Sequence, residues 1–178
     1  MKDDTDNDQL PGKDPEELRS LQDFFTYHLH RIYGAKLRLR ELLAELLVSL
    51  GSSDLSIAVR ATLRLVENQC ACLEEIYQIM GIRPSLAGFN SLTRLIEDEF
   101  SAIKWPAEDT PAFELSVLSA LQQAESLELA SLQVLGLAGR KLPAGLIITE
   151  LIGESIAQAE ANYGMLLTLI AKLTGGQD

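Results

Sequence analysis

The sequence predicts an all-α domain: four long helices with one long connection between the second and the third. Three observations carry this. Leu, Ala and Glu dominate a chain of 178 residues that is 47% hydrophobic and only 6% aromatic, and β-branched runs flanked by turn residues are scarce. Apolar residues recur at helical spacing over four stretches. Helix start and stop signals bracket each stretch.

Residues 1–14 are polar and acidic, broken by Pro11-Gly12, and read as a disordered tail. Asp14, Pro15, Glu16 and Glu17 form a helix start: a cap, a proline in the first turn, and acids at the positive end of the dipole. The first long helix is expected from about Pro15 to Leu50, with an inward stripe of Leu18, Leu21, Phe25, His28, Ile32, Lys36, Leu39, Leu43, Leu46 and Leu50. Gly51-Ser52 closes it.

Ser53 caps the second long helix, which runs to about Met80 before Gly81. Its stripe is Leu55, Val59, Thr62, Val66, Gln69, Cys70, Leu73, Tyr77 and Met80, with Glu67 and Glu74 turned to the rim. The link between the two helices is very short, so they pack antiparallel.

Ile82 to Asp109 forms a long connection. It holds a short helix from Ser91 to Ile103, capped by Asn90 and stopped by Pro106. Glu97-Asp98-Glu99 forms its charged outer face, and Lys104-Trp105-Pro106 reads as an apolar pin. A helix of that size covers about 20 Å and the remaining residues about 45 Å, so the connection can run back along a bundle about 40 Å long.

Thr110-Pro111 opens the third long helix, which ends near Gly139. With Val117 set at zero and about 100° per residue, Leu121, Leu132 and Leu135 share its face. Glu128 sits near the centre of that apolar arc, and Glu125 lies one turn away on the same side. After Leu142-Pro143, the fourth long helix runs from about Ala144 to Leu173 with the stripe Ile148, Ile152, Ile156, Ala159, Tyr163, Leu166, Leu167 and Ile170. The bundle domain is thus expected over residues 15–174, with 175–178 as a short tail. Two helical hairpins joined by one long crossover form the ferritin-like arrangement of a four-helix bundle.

Charge and motifs exclude several function classes. The net charge is -11, made of -5 over residues 1–17, +2 over 18–50 and -8 over the rest. No basic face emerges, which argues against nucleic acid or an anionic membrane as partner. The start MKDDTDNDQL lacks a leader's apolar run, and no membrane span is expected. Cys70 and Cys72 point apart on a helix and read as reduced thiols of a cytoplasmic protein, Cys70 in the core. Ser-His-Asp, Cys-His, Walker and Rossmann patterns are all missing, so ordinary hydrolase, transferase and dehydrogenase chemistry is not expected.

Ferritin-like bundles often hold two metal ions, bound by a Glu from each of two helices and a Glu-x-x-His from each of the other two. The i, i+3 spacing sets both ligands on one face. Here Glu125 and Glu128 have that spacing without a histidine, and Glu160 lies on the flank of the fourth long helix. Those three are the candidate metal ligands. Inward at the same depth stand Lys36, Gln69 and Tyr163. An unpaired carboxylate in a core costs several kcal/mol. The expectation is therefore a core polar cluster of Lys36, Gln69, Glu125, Glu128 and Tyr163, with Lys36 paired to one of the glutamates in place of a metal. His28 is expected to be a hydrogen-bonded core histidine, and Tyr33 and Tyr77 to be packing residues.

The stretches LQDFFTYHLHRIYGAKLRLRELLAEL, LRLVENQCACLEEIYQIMG and QQAESLELASLQVLGLAGRKL resemble the YciE/YciF-type ferritin-like bacterial proteins, over about residues 20–172. The family pattern has Tyr-x-Ala-Glu in the first helix, a Thr-x-x-His or Gln step in the second, Glu-His-Tyr-Glu-x-Ala in the third and acidic residues in the fourth. Tyr33 and Ala35 match, but Lys36 stands where the family has Glu. Val66 replaces the Thr and Gln69 takes the His or Gln position. Glu125 and Glu128 match both glutamates, while Ser126 and Leu127 replace His-Tyr. The acidic positions of the fourth helix fall on Ala159 and Tyr163, with Glu160 beside them. The resemblance implies a stress-associated protein that forms dimers of ferritin-like bundles around a dimetal site.

The departures leave a non-catalytic scaffold with a degenerate dimetal site as the first expectation, with no cofactor and an unidentified protein partner. A di-iron or di-manganese oxidase, peroxidase or storage protein is the alternative. Leu127, Ala130 and Val134, with Leu37 and Val48, extend apolar surface past one core face, which favours a homodimer.

Overall fold

Among the described residues every regular element is a helix. The computed structural model describes residues 20–50, 54–87, 90–103 and 111–175. The helices are α1 (Leu21–Ser49), α2 (Asp54–Met80), α3 (Ser91–Ser101), α4 (Pro111–Gly139) and α5 (Gly145–Leu173).

Cross-helix contacts establish the topology. His30 meets Tyr77 and Lys36 meets Gln69, so α1 and α2 are antiparallel. Lys36 also meets Glu128, and Phe25 lies beside Gly139, so α4 is antiparallel to α1 and parallel to α2. Thr62–Asn162 and Cys72–Leu151 make α5 antiparallel to α2. Each long helix packs on two neighbours, α1 on α2 and α4, and α5 on α2 and α4, while α3 bridges α1 and α4. This is the ferritin-like bundle, with α3 lying along α1.

Local chemistry accounts for the element ends. Ser20 caps α1, accepting from the Asp23 amide at 3.1 Å and donating to its carboxylate at 2.9 Å. The capping expected at Asp14 lies outside the described residues, as do Leu18, the Gly51-Ser52 closure, the Ser53 cap and the Lys104-Trp105-Pro106 pin. Gly81 closes α2 at φ 67, with Ile82 N–H bonded to the Tyr77 carbonyl. Asn90 precedes α3 but makes no capping bond, because its backbone is helical (φ -91, ψ -1) rather than extended. That helix stops at Ser101, two residues short of the expected end.

The crossover is held by buried Leu92, Ile96, Phe100 and Ile103. Glu97, expected on an outer charged face, instead accepts from Arg38 Nε at 2.7 Å and ties α3 to α1.

Covering α1 on a second face changes which histidine is buried. His30, not His28, is the core histidine, at 3% exposure. Its Nδ1 accepts from the Ser85 amide at 3.2 Å and lies 2.7 Å from the Tyr77 hydroxyl, and burial lowers its pKa to about 4. His28 is half-buried, its ring tilted 46° against Phe24 and hydrogen-bonded to Arg31. Tyr33 packs in the core with its hydroxyl satisfied, donating to Glu74 at 2.7 Å.

The two cysteines are free; Cys70 is buried, and burial pushes its thiol up to about 11.

At the α4–α5 turn the chain holds a strained backbone. Ala144 has φ 57, a left-handed conformation that a Cβ disfavours. Gly145 follows, and a Cβ there would stand 2.7 Å from the Gly139 carbonyl oxygen. Ala144→Gly is therefore expected to stabilise the fold by about 0.5–1 kcal/mol. A urea midpoint that does not rise would contradict this.

Candidate functional site

The polar cluster forms because each long helix sends a polar side chain inward at one level. Lys36 comes from α1, Gln69 from α2, Glu125 and Glu128 from α4, and Asn162 from α5. Lys36, Gln69 and Glu128 are wholly buried, and Glu125 is 1% exposed. The Lys36 ammonium donates to Glu128 Oε2 at 2.6 Å and to Gln69 Oε1 at 2.6 Å. Gln69 is held in turn by its own amide, which donates to the Ser155 carbonyl at 3.0 Å. Asn162 Nδ2 donates to Glu125 Oε1 at 2.8 Å. The Thr62 hydroxyl lies 3.4 Å from Asn162 Oδ1 and 3.1 Å from the Ala58 carbonyl, one proton between two acceptors.

Two oxygens of the cluster, Glu125 Oε2 and Glu128 Oε1, are buried without a hydrogen-bond partner. Desolvation, and then the charge of Glu128, push the Glu125 carboxyl up to about 7, against the opposing pull of Lys36 and of the Asn162 amide. A proton kept by Glu125 supplies a donor where both unpartnered atoms are acceptors. With that proton the cluster of Lys36, Glu128 and Glu125 is electrically neutral.

The other candidates fall elsewhere. Glu160 is exposed on α5. Tyr163 is partly buried at the α4–α5 edge, where its hydroxyl accepts from Gln122 Nε2 at 2.8 Å. Asn162 and Ser155 hold the inward positions that the stripe assigned to Tyr163 and Ile156. The seam of α5 runs Ile148, Ile152, Ser155, Ala159, Asn162 and Leu166, all buried. That is an alternation of four and three residues, which over this length keeps to one face of the helix. Reading α5 at that spacing would have found Asn162. Among the described residues, no group of three or more His, Cys, Asp and Glu side chains is gathered where it could hold a metal ion.

A family profile described as a domain of unknown function, DUF892, matches residues 20–175, the whole described bundle with its crossover. The chain belongs to the DUF892 family.

Two solved structures resemble this DUF892 protein in fold. The E. coli stress protein YciF superposes with a TM-score of 0.74 at 18% identity, covering 90% of this chain and 100% of that one. YcfI of Rhodopseudomonas palustris superposes with a TM-score of 0.71 at 18% identity, covering 88% and 98%. These likenesses show that the DUF892 chain shares the helical-bundle fold of those two proteins. No curated protein matches it in sequence. No helix among the described residues is long and apolar enough to cross a membrane.

Proposed function

We propose that this protein is a non-catalytic helical scaffold of the YciF type, whose dimetal position has been taken over by an internal ion pair. The observation that carries the reading is the Lys36 ammonium standing 2.6 Å from Glu128 Oε2 at zero exposure.

A ferritin-like dimetal centre draws about four carboxylates and two imidazoles from its helices, balancing the charge of two divalent ions. The inward side chains here are two carboxylates, two amides and an ammonium. Neither histidine stands among them, since His30 is bound to Tyr77 and Ser85. An ammonium occupies Glu128 Oε2, and it repels a second cation. The donor set therefore does not fit a dimetal centre, and no reaction step is routed through one.

The likeness in fold to the E. coli stress protein supports a stress-related role, which a scaffold would fulfil through a protein partner. The free thiols of Cys70 and Cys72 support a cytoplasmic setting. The protein is also read as a homodimer. Val134, Leu137, Leu146 and Ile147 are 44%, 61%, 83% and 50% exposed on the α4–α5 hairpin. Of these, Leu137 also lines a groove of about 410 Å³ between the two helices, with Gly136, Arg140, Ile152, Gly153 and Ile156. Apolar knobs and a groove on one surface suit a two-fold contact, and the mass in solution tests it.

The functional test is metal content by elemental mass spectrometry on protein expressed with added iron and manganese, beside Glu125→Ala. The expected result is well under one ion per chain in both. About two ions per chain, lost in Glu125→Ala, would overturn the reading. The protein would then be a di-iron or di-manganese oxidase, peroxidase or storage protein.

A further inference from the structure

One nitrogen of His30 is held from two elements. The Ser85 amide donates to Nδ1 at 3.2 Å, and the Tyr77 hydroxyl stands 2.7 Å from the same atom. A backbone N–H can only donate, so Nδ1 carries a lone pair and the ring proton sits on Nε2. Burial holds the Tyr77 hydroxyl well above its ordinary value, so it too stays a donor to that lone pair. The His30 ring stacks on Tyr77 with centroids 5.4 Å apart and is 3% exposed. A neutral imidazole on α1 therefore ties the end of α2 to the start of the crossover. The segment it ties is lightly packed. None of residues 82–87 is buried, so this stretch can lift without unpacking the core.

We infer that His30 is an acid-sensitive clasp, which pins the start of the crossover to α1 and α2 while its ring is neutral and releases that segment, with the bundle still folded, when the ring takes a proton. Protonation at Nδ1 puts an N–H where the Ser85 N–H already points. The Tyr77 hydroxyl can turn and accept from it, but an amide cannot, so the Ser85 bond is the one that breaks. The surroundings are poor in free counter-charge. From α2 the ring meets Tyr77, and from the crossover it meets Ser85. Beside it runs a groove of about 220 Å³, lined by Arg38 and Glu41 of α1, Leu86 and Asn90 of the crossover and Thr93 of α3. Arg38 and Glu41 are bonded to each other at 2.9 Å, and Arg38 also to Glu97 of α3. Arg31, next along α1, is turned to Ser91 and His28. Lifting residues 82–87 opens this groove to water, which relieves the buried charge. Burial lowers the His30 pKa from 6.5 to about 4. The opened segment therefore binds the proton more readily than the closed one. Opening becomes easier as pH falls below 6.5 and levels off below about 4.

The test is amide hydrogen exchange on the full chain at about pH 7.5 and about pH 5.5, both above the pI of about 4.6, read by NMR and corrected for the intrinsic exchange rate. Opening at the Ser85 amide is expected to rise about tenfold across that interval, while amides within α4 and α5 keep their protection. In His30→Gln the side-chain oxygen accepts without titrating, so the rise is expected to vanish. The imidazole shift of His30 in the wild-type protein is followed alongside and should still report a neutral ring at about pH 5.5; this reading does not depend on the variant folding. Ser85 protection that stays constant, or that falls in step with α4 and α5, overturns the clasp. So does a His30 ring that titrates at its ordinary value in the folded chain, and so does a rise at Ser85 that persists in folded His30→Gln.

Discussion

Lys36→Met is expected to destabilise the fold by about 3–5 kcal/mol, because it leaves Glu128 buried without its counter-charge. Both partners are at zero exposure, and Lys36 also holds the Gln69 oxygen. The pair itself is not a large net source of stability, since taking both charges out of water costs about as much as their attraction returns. Lys36→Met/Glu128→Gln should therefore recover most of the loss. Chemical denaturation of the two variants measures both values. A Lys36→Met protein as stable as wild type would show that Lys36 does not neutralise the core glutamates.

Glu125→Gln is expected to act in the opposite direction, increasingly as pH rises above about 4.5. The folded chain holds the Glu125 proton up to about 7, against an ordinary value of 4.5, because desolvation and Glu128 oppose the charged form. A group with a raised folded pKa stabilises fully below its unfolded value and loses that contribution as pH rises through the folded one. For Glu125 the loss falls between about pH 4.5 and pH 7 and amounts to about 3 kcal/mol. Glutamine mimics the protonated form: it keeps an oxygen for Asn162 and offers a donor near Glu128. The variant should be up to about 3 kcal/mol more stable than wild type at pH 8, nearly equal to it at pH 4.5, and flatter between. A parallel pH profile for the two proteins would place the proton elsewhere.

Much of this site is legible in the residues alone, for an identifiable reason. A glutamate at the centre of an apolar arc, as Glu128 is, demands a partner, and Lys36 is the cation on an inward stripe at the same depth. Gln69 follows from the same geometry on α2. The bundle topology is legible from the length of the crossover, which antiparallel neighbours would not need. What escaped notice has separate causes. Asn162 and Ser155 lie within about 40° of the centre of the α5 seam on a 3.6-residue wheel, closer than Tyr163 and Ile156, but they are polar, and a stripe chosen by apolarity passes over them. Glu160 lies about 120° from that centre, on the exposed face. His30 was missed because its burial comes from the segment after α2, whose Ser85 amide binds it, and helical periodicity in α1 carries no record of that cover. The Arg38–Glu97 tie is likewise a product of where the crossover lies.

The measurement that bears most directly on the central claim is a crystal structure of the wild-type protein grown with excess Mn²⁺, with anomalous scattering recorded at the manganese edge. The account predicts no anomalous peak at the Glu125–Glu128 level and the Lys36 nitrogen within hydrogen-bond distance of Glu128 and Gln69. A manganese peak bridging those glutamates, with Lys36 turned away, would contradict it.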